Sequence, residues 1–296
     1  MPTKYAPQID THINAATRKF ALLGARLPYT WSPQIHNTLL AARGVNAVYL
    51  TLTVDAYSLA SAVDVLRQSF AGFNVTIPYK EAIIPLLDEL DDTASACGAV
   101  NTVTVSESGA LTGYNTDGIG LIRALEEALV NLDDASTVIV GGGGTARIAA
   151  YELLRREGTV TVAVREPKRA EGLVSDLAAL QPDGQARIRL MSLEELEGGG
   201  EEYDLLIHAT PLGTYPDVDD CAVSQAVAAR CYAVFDAVYN PPETRLLAMA
   251  KAQRAKSVGG FGMLFYQAVE AQKRWLGGSL PNRMLREMHQ ALEQLV

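Results

Sequence analysis

Cysteine is scarce in this chain. There are three in 296 residues, Cys97, Cys221 and Cys231, an odd number without Cys-x-x-Cys spacing. Neither a disulfide framework nor a zinc ribbon is suggested, and buried thiols are expected. Positive charge is short as well: 25 Lys and Arg against 34 Asp and Glu leave a formal charge of −9. No global basic field exists to attract nucleic acid or an anionic membrane, so an anionic ligand must be met by a local site. No apolar run approaches the ~18 residues of a membrane helix, and the opening Met1-Pro2-Thr3-Lys4-Tyr5-Ala6-Pro7 has no apolar signal core. A soluble cytoplasmic protein with no nucleic-acid or membrane partner is expected. No repeat of fixed period and no low-complexity tract is visible, and residues 1–19 read as a polar lead-in without clear period.

What is present is enough apolar surface to fold. Apolar residues make up 48% of the chain and charged residues 20%, which argues against disorder. The length suggests two domains. Apolar runs of strand length alternate with helix-period segments, the rhythm of an α/β protein with parallel strands. Early strands are expected at Phe20-Ala21-Leu22-Leu23-Gly24, Ala47 to Leu52, Gly72-Phe73-Asn74-Val75 and Ala99 to Val103. Ser32-Pro33 reads as a helix start with serine as the cap. Later strands are expected at Thr137 to Val140, Thr159 to Val164, Leu205 to Ile207 and Ala233 to Phe235, with loops at Gln181-Pro182-Asp183-Gly184 and Gly198-Gly199-Gly200. A helix is expected from about Thr145 to Arg156, and two more at about Gly262–Leu276 and Asn282–Leu295.

Gly141-Gly142-Gly143-Gly144-Thr145-Ala146 follows a strand and opens a helix, with G-x-G-x-x-A spacing at 141, 143 and 146. Glycine permits the tight turn, and the open amides of the helix start attract a pyrophosphate. The second strand of this unit ends in Val164-Arg165-Glu166-Pro167-Lys168-Arg169. Arg165 and Arg169 favour the extra phosphate of NADP, whereas Glu166 suits the ribose hydroxyls of NAD. A solvated helix start would carry the same charges.

The first half holds polar residues that strand logic alone leaves unexplained: Asn74-Val75-Thr76-Ile77-Pro78-Tyr79-Lys80, Gly98-Ala99-Val100-Asn101-Thr102 and Gly113-Tyr114-Asn115-Thr116-Asp117-Gly118. Strand ends in α/β sheets converge on ligand crevices, so these groups could meet. Singly, each also reads as a cap or turn residue.

Together with Thr30-Trp31-Ser32-Pro33-Gln34-Ile35-His36-Asn37, the glycine loop with Arg147, Ala209-Thr210-Pro211-Leu212-Gly213, Asp236-Ala237-Val238-Tyr239-Asn240-Pro241 and Gly260-Phe261-Gly262-Met263-Leu264-Phe265-Tyr266-Gln267, these segments closely resemble the shikimate dehydrogenase family, in family order. The resemblance implies an α/β fold of two domains. A mainly parallel mixed-sheet substrate domain would cover 1–117, completed by 261–296, and a Rossmann-like doubly wound NADP domain would cover 118–260, with the substrate in the cleft between them. It implies reversible reduction of 3-dehydroshikimate to shikimate, a step of aromatic amino-acid biosynthesis. Lys80 would be the general acid/base and Asp117 would hold it and a substrate hydroxyl. Asn101, Thr76 and Gln267 would bond the ring hydroxyls. Ser32, Thr30 and Tyr239 would receive the carboxylate. Gly141, Gly143, Gly144, Thr145, Arg165, Arg169, Thr210 and Gly260 would bind the cofactor, NADP, with NAD as the alternative. No metal is implied.

Three departures from the family pattern bear on specificity. Thr30 stands where serine is usual, Val164 where asparagine helps recognise the NADP phosphate, and Glu166 where a hydroxyl residue is common. They leave open an NAD-dependent quinate/shikimate dehydrogenase. A non-catalytic ligand sensor is a further reading, disfavoured because Lys80 and Asp117 are both kept. A methylenetetrahydrofolate-type dehydrogenase has little room beside the ring-hydroxyl set. His208 replaces the usual asparagine before Ala209 and is expected to be structural, and His36 to cap or pack. An exposed patch on the first domain could form a homodimer.

Overall fold

The computed structural model describes residues 13–27, 30–180 and 187–296. The loop expected at 181–184 lies outside them, as does most of the lead-in. Two compact units are present: residues up to Thr116 with Gln267–Leu295, and Asp117–Tyr266. The α/β class and the two mainly parallel sheets match the expectation from sequence.

The first unit is built on a six-stranded sheet. Its strands are β1 (Arg18–Gly24), β2 (Ala47–Thr53), β3 (Gly72–Val75), β4 (Glu89–Leu90), β5 (Thr102–Val105) and β6 (Leu111–Tyr114), in the order β2-β1-β3-β5-β6-β4. β1 pairs in parallel with β2 and β3, but β5 runs antiparallel to both β3 and β6. The expected strand at Ala99 starts three residues later, because Val100 gives its amide to Lys80 O, outside the sheet ladder, at 2.8 Å. Helix α1 (Ser32–Ala42) begins at Ser32, yet Ser32 does not cap it. Thr30 Oγ1 accepts from the Ser32 amide at 3.3 Å instead, since a residue already inside the helix cannot serve its own start. The core packs Ala21, Leu23, Leu66, Phe73, Ile83, Val100 and Val103 on one side of the sheet. Phe20, Leu22, Leu40, Tyr49 and Trp275 lie in a second cluster. Truncating one such buried Leu or Ile to Ala costs about 2–5 kcal/mol.

The second unit holds β7 (Ser136–Val140), β8 (Thr159–Val164), β9 (Ile188–Ser192), β10 (Tyr203–His208), β11 (Cys231–Asp236) and β12 (Lys256–Gly259). All pair in parallel, in the order β12-β11-β10-β7-β8-β9. This is the doubly wound order, with its reversal between β7 and β10. Buried clusters cover the sheet on both faces, which explains why its strands read as continuous Val/Ile/Leu runs. Among the described residues, no helix is long and apolar enough to cross a membrane.

Candidate active site

In the first unit, three polar segments meet at one edge of the sheet. β3 and β6 end there and the opposed β5 begins there, so Asn74 to Lys80, Gly98 to Thr102 and Tyr114 to Thr116 become neighbours. Backbone bonds fix the arrangement: Val75 N to Asn101 O at 2.9 Å, Asn101 N to Tyr114 O at 3.0 Å, and Val100 N to Lys80 O at 2.8 Å. The last of these pins Lys80, in the short helix α2 (Tyr79–Ala82), beside the residue preceding Asn101.

Asn101 is the hub of this edge. Its Oδ1 accepts from Thr116 N at 2.8 Å, Thr102 Oγ1 at 2.9 Å and Thr116 Oγ1 at 3.1 Å. That acceptor load turns the amide so that its NH2 end serves as a donor on the opposite side. Thr116 Oγ1 also reaches Gln267 Oε1 at 3.4 Å. Asn74 sits beneath, donating to Asn101 O at 3.0 Å and Thr102 Oγ1 at 2.9 Å, and accepting from the Tyr49 hydroxyl at 2.8 Å. Burial pushes the Tyr49 hydroxyl well above its ordinary pKa, so it stays a neutral donor. Thr30 Oγ1 lies 3.2 Å from Ser32 Oγ, bringing those two hydroxyls together. Thr76, at the end of β3, is half-buried.

The supporting residues Tyr49, Asn74, Thr102 and Thr116 carry no individual signal in the sequence. Tyr49 alternates like any strand aromatic, and Asn74 was legible only as an amide at a strand end. His36 packs rather than capping: it is fully buried and stacks on Tyr49 with ring centroids 4.0 Å apart.

In the second unit, Asp117 is half-buried and opens helix α3 (Asp117–Glu127). Gly141 turns the chain out of β7 with φ +123°, and a Cβ there would lie 2.9 Å from Ala209 O. Helix α4 (Gly144–Leu154) follows, with Gly143 as its N-cap and no side chain closing that end. Its first-turn amides are therefore available to an anion. Ala146 is fully buried, as a small third position requires for close packing on the sheet. Thr145 is half-buried, and Gly143 and Gly144 are exposed.

A cavity of about 800 Å³, counting its open mouth, is lined by Gly141, Gly142, Val164, Arg165, Glu166, Arg169 and Thr210. Glu166 lines this cavity as an exposed side chain, its Oε2 2.9 Å from Arg169 Nε. A backbone cradle, an open helix start and two arginines fit a dinucleotide with an additional phosphate. Gly260, buried at the start of helix α5 (Gly260–Leu276), admits no side chain, since a Cβ would overlap Ala237 O. Tyr239 is half-buried, and burial raises its pKa. His208 bonds Asp236 and Thr210 in the interior.

Comparison with known proteins gives a consistent picture. Residues 22–103 match the family model described as shikimate dehydrogenase substrate binding domain. A shikimate dehydrogenase (NADP(+)) of Salinibacter ruber is 41% identical over 283 residues, covering 91% of this chain and 95% of that protein. The crystal structure of shikimate 5-dehydrogenase from Thermus thermophilus in complex with NADP(H) and shikimate has a TM-score of 0.83 at 30% identity, covering 95% of this chain and 100% of that one. Quinate dehydrogenase from Corynebacterium glutamicum in complex with NAD gives a TM-score of 0.83 at 31% identity, covering 93% and 99%.

Proposed function

Because the chain belongs to the shikimate dehydrogenase family, we propose that it reversibly reduces 3-dehydroshikimate to shikimate with NADPH, with the first unit binding substrate and the second binding cofactor. The observation that carries this reading is the neutral hydrogen-bonding edge around Asn101, with Lys80 fixed beside it. A ring bearing several hydroxyls needs amide and hydroxyl partners of set direction, and an edge of this kind supplies them without a net charge.

When bound, NADPH supplies a hydride to the substrate carbonyl carbon. Lys80 donates a proton to the carbonyl oxygen as negative charge grows there, and takes it back in the oxidative direction. Asp117 bonds a ring hydroxyl in this reading. The NH2 of Asn101 donates to a ring hydroxyl, and Thr76 and Gln267 bond the others. Thr30 and Ser32, 3.2 Å apart, present paired hydroxyls to the carboxylate together with Tyr239. Gly141, Gly143, Gly144 and Thr145 bind the pyrophosphate at the start of α4, and Thr210 and Gly260 bind other parts of the cofactor.

Arg165 and Arg169 receive the 2′-phosphate. Two arginines against one acid at this end of β8 support NADP over NAD. Three cysteines outside any disulfide suit the reducing cytoplasm, where we place the protein. Two copies pair through the first unit, whose outer strand β2 has one edge open among the described residues and Leu50 exposed; a monomeric sedimentation coefficient would refute that pairing.

Four assays decide the function: shikimate and quinate, each with NADP+ and NAD+, followed at the reduced-nicotinamide absorbance band. The expected result is the largest kcat/KM for shikimate with NADP+. A quinate preference would move the assignment to the quinate branch of the family, and binding without turnover in all four would make the protein a sensor.

A further inference from the structure

Beside the reversal point of the second sheet, two adjacent parallel strands end in ionisable residues that face each other. β10 ends at His208 and β11 at Asp236, paired in register. Both are buried, at 2% and 1% exposure. His208 Nδ1 lies 2.8 Å from Asp236 Oδ1. That same oxygen accepts from Val238 N at 3.0 Å, while Oδ2 accepts from Thr244 Oγ1 at 2.6 Å. On the other side of the ring, His208 Nε2 lies 2.5 Å from Thr210 Oγ1, which also accepts from Leu212 N at 3.3 Å.

We infer that His208 and Asp236 are positioning residues for the dinucleotide: they turn the Thr210 hydroxyl proton into the protein, so that Thr210 meets the cofactor as a hydrogen-bond acceptor. The inference rests on the dinucleotide reading of the glycine turn. The direction of each bond follows from the partners. A carboxylate oxygen can only accept, so Nδ1 carries the ring proton. With that single ring proton on Nδ1, Nε2 is an acceptor and the hydroxyl donates to it, the arrangement this inference takes. Thr210 Oγ1 spends one lone pair on Leu212 and keeps the other for the cavity.

The placement gives this direction a consequence. Thr210 lines the nucleotide cavity, and its Cγ2 would stand 3.0 Å from a Cβ on Gly141. A hydroxyl free to rotate beside that turn would donate to any phosphate oxygen. A hydroxyl locked as an acceptor bonds only a donor, such as a ribose hydroxyl or a carboxamide NH2, and so disfavours a phosphate slipping into that position. The hydroxyl–imidazole–carboxylate order is that of a hydrolytic triad, but here it opens on a ligand wall and fixes a direction rather than activating a nucleophile.

The experiment is a double-mutant cycle read by NADP+ binding in the full-length protein. His208→Phe and Thr210→Val each weaken the NADP+ dissociation constant about five- to tenfold, the loss of one directed hydrogen bond. The double variant is no weaker than the worse single one, and the KM for shikimate stays within about twofold in all three. Long-range proton–nitrogen NMR on the unmodified protein provides a reading independent of any variant's folding: the His208 ring is protonated at Nδ1 and bare at Nε2. Additive losses, an equal rise in the shikimate KM, or a proton on Nε2 would overturn the inference. An unmodified protein that binds no NADP+ would sink the dinucleotide reading beneath it, whereas additive losses in a protein that does bind sink only this step.

Discussion

The two units prepare for ligands by opposite means. In the first, side chains are held by other side chains: Tyr49, Asn74, Thr102, Thr116 and Asn101 form a buried, neutral mesh. In the second, the main chain bears the load, through the positive φ of Gly141, the uncapped start of α4 and the close pass of Gly260 over Ala237. A mesh of side chains can discriminate among hydroxyl patterns, because each amide has a fixed donor end and acceptor end. A main-chain cradle recognises a phosphate group common to many nucleotides and leaves finer selection to a few added side chains. Substrate identity should therefore be sensitive to polar substitutions in the first unit, and cofactor binding to an added methyl in the second.

The largest expected break in this contrast comes at Lys80, the one charged group proposed to act at the reacting carbonyl. Lys80→Ala should lower kcat by about 10²–10⁴-fold with a much smaller change in the KM for shikimate; equal losses in both would make Lys80 an anchor. Next in size is Gly141→Ala, which puts a Cβ 2.9 Å from Ala209 O at a strained φ. NADP+ affinity should fall about a hundredfold while shikimate binding, measured by calorimetry, holds. Loss of both affinities would show that the two units do not divide the ligands. Asn101→Ala should do the reverse at smaller scale, raising the shikimate KM roughly tenfold with the NADP+ KM unchanged.

The last comparison concerns stability and two buried histidines that the units treat differently. His208 is bonded to a carboxylate, whereas His36 stacks on Tyr49 and burial holds its pKa down at about 3. For a base whose folded pKa lies below its unfolded value of about 6.5, the unfolded chain takes up the proton first. Stability is then unaffected above that pH and lost as pH falls toward 3, by up to about 1.4 kcal/mol per unit. Urea unfolding of the parent and of His36→Asn should converge at pH 7 apart from a constant packing loss, with a shallower acid limb in the variant. Parallel acid limbs would remove His36 from the explanation.

The same division governs what could be read in advance. The β7–turn–α4 segment was legible from residues alone, since a β-branched run, a glycine cluster and an alanine-rich helix all act locally. β8, β10 and β11 were equally plain as apolar runs. β9 and β12 were not marked, because Arg189 and Lys256 interrupt them and only neighbouring strands decide their pairing. The reversal of β5 was invisible for a related reason: strand direction depends on the connection, not on the strand's composition. In the first unit the polar motifs stood out, but their wiring did not. Ser32 looked like a cap, yet the cap bond comes from Thr30 two residues earlier.

The first unit is sewn from two stretches of chain far apart in sequence. Trp275 stacks on Phe20 and donates to Val103 O, and Gln272 donates to His36 O at 2.9 Å. During synthesis those partners emerge from the ribosome only after the second unit. Until they do, Phe20 and the side of the sheet that Trp275 covers lack their indole partner, while the intervening Rossmann unit already has all of its strands. The nascent polypeptide therefore completes its middle before its beginning, and a ribosome stalled short of the final helices would expose an aromatic surface of the kind that chaperones guard.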